Sequence, residues 1–90
     1  MHIREGFILR EVGTDHMVVG PGAKGGEGLR RIVRMNDSAA FLWRSVAGRE
    51  FEVATLAALL EREYGLEKTV ARTDAEHIAA AWLHAGIVLP

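Results

Sequence analysis

Ninety residues, 49% of them apolar and 26% charged, with a net charge of −1 and no cysteine, describe one folded domain, residues 1–90. A chain this short buries only about 60–65% of its unfolded surface, but it is too apolar to be disordered. The near-neutral charge provides no global attraction to nucleic acid or anionic membranes, and the missing cysteines exclude disulfides and thiolate metal sites.

The amino-terminal Met1-His2-Ile3-Arg4-Glu5-Gly6 lacks the apolar run of a signal peptide. No stretch of about 18 apolar residues follows it, so the expected compartment is the cytoplasm. Phe7-Ile8-Leu9-Arg10-Glu11-Val12 is a short β-branched run closed by a turn at Gly13-Thr14-Asp15, and His16-Met17-Val18-Val19 follows at hairpin distance. Five glycines and a proline between Gly20 and Gly28 then favour a loop. From Leu29 to Met35 the pattern alternates, with Leu29, Arg31, Val33 and Met35 on one face and Arg30, Ile32 and Arg34 on the other. Its charges suit an edge strand, where arginines guard against unwanted pairing.

The remainder has helical spacing. Asn36 or Asp37 caps a first helix that carries Ala40, Phe41, Leu42, Trp43 and Val46 and ends before Gly48. A second runs from about Phe51 to Tyr64 and stops at Gly65, a natural left-handed position. A third runs from Lys68 to Gly86, and Ile87-Val88-Leu89 forms an apolar tail packed back on the body. The predicted architecture is α+β: a three-stranded antiparallel sheet followed by three helices, βββααα, with the helices on one sheet face.

An edge strand offers unpaired backbone groups to an incoming extended peptide. The third helix can form the opposite wall, with Ala75, Ala79, Ala80 and Ala81 between the larger Ile78 and Trp82. On periodicity alone, close packing against neighbouring helices is the better account of these alanines. Trp43, among apolar residues, reads as core; Trp82 suits core and groove alike.

Four segments carry a family resemblance: Glu5 through Val12, Met35 through Trp43, Leu59 through Gly65, and Asp74 through Val88. Their order and spacing resemble the PqqD-like family. There an apolar-Asn strand end leads through small residues to an apolar-Trp pair in the first helix. An Asp-initiated helix ending in Ala-Gly-apolar-apolar closes the domain. The resemblance implies a winged-helix-like, non-catalytic recognition element that holds the leader of a ribosomally made precursor peptide as an added strand and presents it to a modifying enzyme, often a radical SAM protein. Carried onto this chain, it implies a strand wall of Leu29, Arg30, Arg31, Ile32, Val33 and Arg34. The helix wall is Ala75, Ile78, Ala79 and Trp82, with Asp74 at the entrance. No cofactor is implied, and PQQ itself is not. The glycine-rich loop and the Arg30-Arg31 pair depart from the family pattern.

Other motifs are weaker. Gly20-x-Gly22-x-x-Gly25 matches a dinucleotide fingerprint as text, but a strand rather than a helix follows it. His77 and His84 are seven apart, whereas helical metal pairs use three or four. Ser38 and Ser45 lie outside any nucleophile elbow. The rival reading is a winged-helix DNA-binding domain, with Arg30, Arg31 and Arg34 on phosphates and Lys68 and Arg72 opening a recognition helix. The neutral charge and the acidic Asp74 and Glu76 argue against it. A third reading is a homodimer formed through the exposed strand edge.

Overall fold

A computed structural model describes residues 1–22 and 30–90. The element order is β1 (His2–Ile3), β2 (Ile8–Val12), β3 (Asp15–Pro21), β4 (Arg30–Met35), α1 (Asp37–Val46), α2 (Val53–Tyr64), α3 (Lys68–Ala85) and β5 (Val88–Leu89). Strands β2, β3 and β4 form the expected antiparallel sheet with β3 in the centre, and three helices follow. The fold is α+β.

Alternation along the sheet sets its two faces. Leu9, Val18 and Val33 share one cross-strand row, and Val18 has no solvent exposure. This row faces α1, so the helices lie on its side of the sheet. The next row, Ile8, Val19 and Ile32, points the other way. Beneath the inner face the core gathers Leu42, Trp43 and Val46 of α1, Leu56 and Leu60 of α2, and the stripe Ala71, Ala75, Ala79 and Trp82 of α3. The α3 stripe repeats at three and four residues because that spacing keeps side chains on one helical face. Its alanines let α3 lie close against α2, its main packing partner.

Helix ends follow their local chemistry. The Asn36 side chain accepts a hydrogen bond of 2.9 Å from the Ala39 amide and caps α1. Helix α2 begins at Val53, two residues later than its periodicity suggests. Glu52 and Thr55 form a reciprocal capping box there, while Phe51 is drawn into the core. Gly65 and Gly86 end α2 and α3 with φ of 64° and 74°, a conformation only glycine adopts without strain.

Two features depart from expectation. Strands β1 and β5 pair antiparallel, Ile3 with Val88, as a separate two-stranded sheet. Two-residue strands are too short to show alternation in sequence. The pairing is held by tertiary contacts: Arg4 N–H donates to the Ile87 carbonyl at 2.9 Å, and the Met1 ammonium donates to the Phe51 carbonyl at 2.7 Å. In addition, Gly20 and Pro21 belong to β3 and not to the expected loop. Gly20 is buried with the Phe7 ring lying over it, so the residue is set by space and not by flexibility. Gly22 follows outside any strand, and the rest of that loop and of the dinucleotide-like motif, like Leu29, falls on residues 23–29, outside the described residues.

The hairpin is fastened to α1 by polar contacts. His16 Nε2 lies 2.7 Å from Asp37 Oδ1 in the first turn of α1, and its Nδ1 stands 2.7 Å from a Glu11 oxygen. The second contact is off the axis of a hydrogen bond and acts only as charge attraction when the ring is protonated. Arg44 reaches the same Glu11 at 3.6 Å.

Candidate functional site

Strand β4 is an edge of the three-stranded sheet. In an antiparallel sheet, alternate residues of an edge strand turn their N–H and C=O groups away from the neighbouring strand. Along β4, Val33 and Met35 turn to the helix side and are half-buried, whereas Arg30, Ile32 and Arg34 turn to the outer face. Arg31 shares the parity of Val33. A methyl group built on Gly86 would stand 3.2 Å from Arg31 Nη1, so the guanidinium reaches the carboxyl end of α3. The helix dipole favours a cation at that end.

At the other end of β4, the chain passes through Asn36 into α1. Asn36, Ser38, Leu60, Tyr64, Leu66, Asp74, His77 and Ile78 enclose a cavity of 380 Å³ there. Thus α3 runs antiparallel to β4, with Arg31 beside its last turn and Asn36 beside its middle. The two elements thus lie side by side, with a cation at one end and a cavity at the other. The floor of the cavity is apolar (Leu60, Leu66, Ile78), and its rim carries the exposed Asp74 and His77. Tyr64 closes one side, held edge-on to Phe41 with ring centroids 5.9 Å apart.

The residues singled out from sequence therefore divide. Asp74 and Ile78 line the cavity, Arg31 stands beside the end of α3, and Val33 is half-buried on the helix side of β4. Ala75, Ala79 and Trp82 are at most 4% exposed and face the core one position round the helix. Trp82 is enclosed by Trp43 and Phe51, edge-on to both at centroid distances of 5.4 and 6.3 Å. This places it in the core. Asn36, Ser38, Leu60, Tyr64, Leu66 and His77 were not expected at the cavity, because cavity lining depends on how the start of α1 and the end of α2 meet the middle of α3. His77 and His84 are both exposed, and no group of three metal-ligating side chains gathers among the described residues. No helix of the described residues is long and apolar enough to cross a membrane.

The fold is a small α+β domain whose edge strand β4 lies beside α3. A family model described as "Coenzyme PQQ synthesis protein D (PqqD)" matches residues 15–88, and the chain belongs to that family. The family comprises non-catalytic partners of peptide-modifying enzymes that bind ribosomally made precursor peptides. No curated protein and no solved structure matches the chain.

Proposed function

We propose that this chain binds the leader segment of a ribosomally synthesised precursor peptide in the β4–α3 cleft, as an added strand on β4, and presents it to a modifying enzyme of the radical SAM class. The observation that carries this reading is the unpaired edge of β4 lying beside α3 with a side-chain cavity at one end. Arg31 and Val33 line the strand wall, and Ile78 with Asp74 at its entrance lines the helix wall. Ala75, Ala79 and Trp82 support that wall from the core. Arg30, Ile32 and Arg34 act through the strand backbone, while the expected Leu29 lies outside the described residues. The arginines favour an acidic leader, each exposed contact contributing about 0.2–1 kcal/mol.

Magnitudes explain why a cavity is needed. Six paired residues add up to about six backbone hydrogen bonds, worth about 1 kcal/mol net each. Ordering six leader residues costs about 1–2 kcal/mol each. Backbone pairing alone therefore does not bind. One leader side chain buried against Leu60, Leu66 and Ile78 returns about 1.5–3 kcal/mol, which narrows the deficit and supplies selectivity. The bound leader then holds its core segment at high effective concentration near the enzyme.

The test is an NMR titration of the ¹⁵N-labelled chain with candidate leader peptides and, separately, with duplex DNA. Saturable shifts along Arg30–Met35 and Asp74–Ile78, lost in a folded Ile78→Glu variant, are expected with a leader. Salt-sensitive shifts with DNA and silence with every leader would instead establish the winged-helix DNA-binding reading.

A further inference from the structure

The cavity where α1 begins and α2 ends against the middle of α3 has a definite chemistry. Its floor is apolar, with Leu60 buried and Leu66 and Ile78 half-buried. Its polar wall is rich in acceptors. Asn36 Oδ1 is already engaged, accepting from the Ala39 amide at 2.9 Å and from Ser38 Oγ at 3.1 Å. The lone pairs of Ser38 Oγ and Tyr64 Oη and the carboxylate of Asp74 are left to a ligand. Among the described residues the Asp74 carboxylate has no ion-pair partner, and Arg72, two positions away, is taken by Glu76 at 3.3 Å. No Lys or Arg lines the cavity, and Asp74 is its one carboxylate.

We propose that this cavity receives a lysine or arginine side chain of the bound leader, its methylene stem on Leu60, Leu66 and Ile78 and its cationic head at Asp74. The proposal rests on the reading of β4 and α3 as the leader site and adds the identity of one leader residue. Lysine and arginine carry a charged head on an apolar stem, the same order in which the cavity presents its rim and floor. Their heads are donors only, and the free groups of the wall accept. The volume of 380 Å³ is near the lower end of the range for small-molecule pockets, about 300–1,000 Å³, and suits a single long side chain.

Strand geometry places that residue in the leader. A strand added to β4 turns alternate side chains towards α3. The cavity adjoins Asn36, next to Met35, and Met35, Val33 and Arg31 share the helix side of β4. The basic residue therefore stands beside Met35, and the leader residue beside Arg31 is four positions away. Antiparallel pairing is the more stable arrangement, and it puts the Arg31 partner later in the leader. The recognised segment is a basic residue followed four positions on by an acidic one.

The test has two arms. In the first, n-butylguanidinium is titrated into the isotope-labelled chain, with n-butylurea as its uncharged counterpart. The cation should shift the Leu60, Leu66 and Ile78 methyl signals saturably and bind about threefold to fivefold more tightly than the urea, the advantage of one exposed ion pair. Asp74 is exposed and unpaired in the fold, so Asp74→Asn folds normally and removes that advantage. In the second arm, a leader that shifts Arg30–Met35 has each Lys and Arg exchanged in turn for Met, which keeps an unbranched stem and removes the charge. One exchange should weaken binding to the wild-type chain about threefold to fivefold and leave binding to Asp74→Asn unchanged. Equal binding of n-butylguanidinium and n-butylurea overturns the proposal. A leader that binds with no dependence on any Lys or Arg also overturns it, and leaves strand addition on β4 standing. n-Butylguanidinium held at Asp74 by a chain that binds no leader refutes the leader reading itself, and the assignment of the cavity to a leader residue falls with it.

Discussion

Gly20 permits a sharp test of how the central strand is built. A Cβ placed on it would stand 2.5 Å from Phe7 Cε1 and 2.6 Å from Cγ. Ordinary carbon contacts need about 3.5–4.0 Å, so Gly20→Ala forces the ring to move by about 1 Å. Phe7 is only 6% exposed and packed in the core, leaving it little room. Overpacking of this kind costs about 1–3 kcal/mol, against a total of about 5–13 kcal/mol for a domain of 90 residues. The melting temperature should fall by about 4–8 °C per kcal/mol. Phe7→Leu alone is also destabilising, because it removes ring atoms from the core. In the double variant the new methyl occupies part of the space the ring vacates. The combined loss should be smaller than the sum of the single losses by about 1 kcal/mol or more. Urea and thermal unfolding followed by circular dichroism measure all four proteins. Strict additivity, or a Gly20→Ala melting temperature within about 2 °C of wild type, would refute the reasoning.

Two further outcomes follow from packing and capping. Trp82→Ala should cost about 3–5 kcal/mol and lower the melting temperature followed by circular dichroism by about 12 °C or more. Trp82→Phe, which retains an aromatic partner for Trp43 and Phe51, should fold; equal loss in both would contradict the edge-on packing. Asn36→Ala removes the cap of α1 and should cost about 1 kcal/mol, with Asn36→Gly costing only a few tenths. The ranking is read from urea midpoints, and an Asn36→Ala midpoint equal to that of wild type would mean that the side-chain bond to Ala39 contributes nothing.

Arg31 and Val33 look towards α3, while Ile32 and Arg34, their immediate neighbours, look away from it. One six-residue strand thus presents a different set of side chains on each of its two faces.

Local chemistry made much of this protein legible from its residues. The helices announce themselves by three-and-four spacing, by Asn36 at the start of α1, and by Gly65 and Gly86 at the ends of α2 and α3. Strand β4 reads as an edge because arginines interrupt its alternation. These are effects of neighbours a few residues apart, which a sequence displays directly. What only the tertiary structure decided depends on residues far apart in the chain. Ala75, Ala79 and Trp82 share α3 with Ile78, and no local rule says which side of a helix rich in alanine meets the core. Contact with Trp43 and Phe51 settles it. Pairing of β1 with β5 joins the two ends of the chain, and the cavity at Asp74 exists only where the ends of β4 and α2 converge on α3. Gly20 shows the same division in a single residue. Its type marks a turn in sequence, but the Phe7 ring above it gives it a place in the central strand.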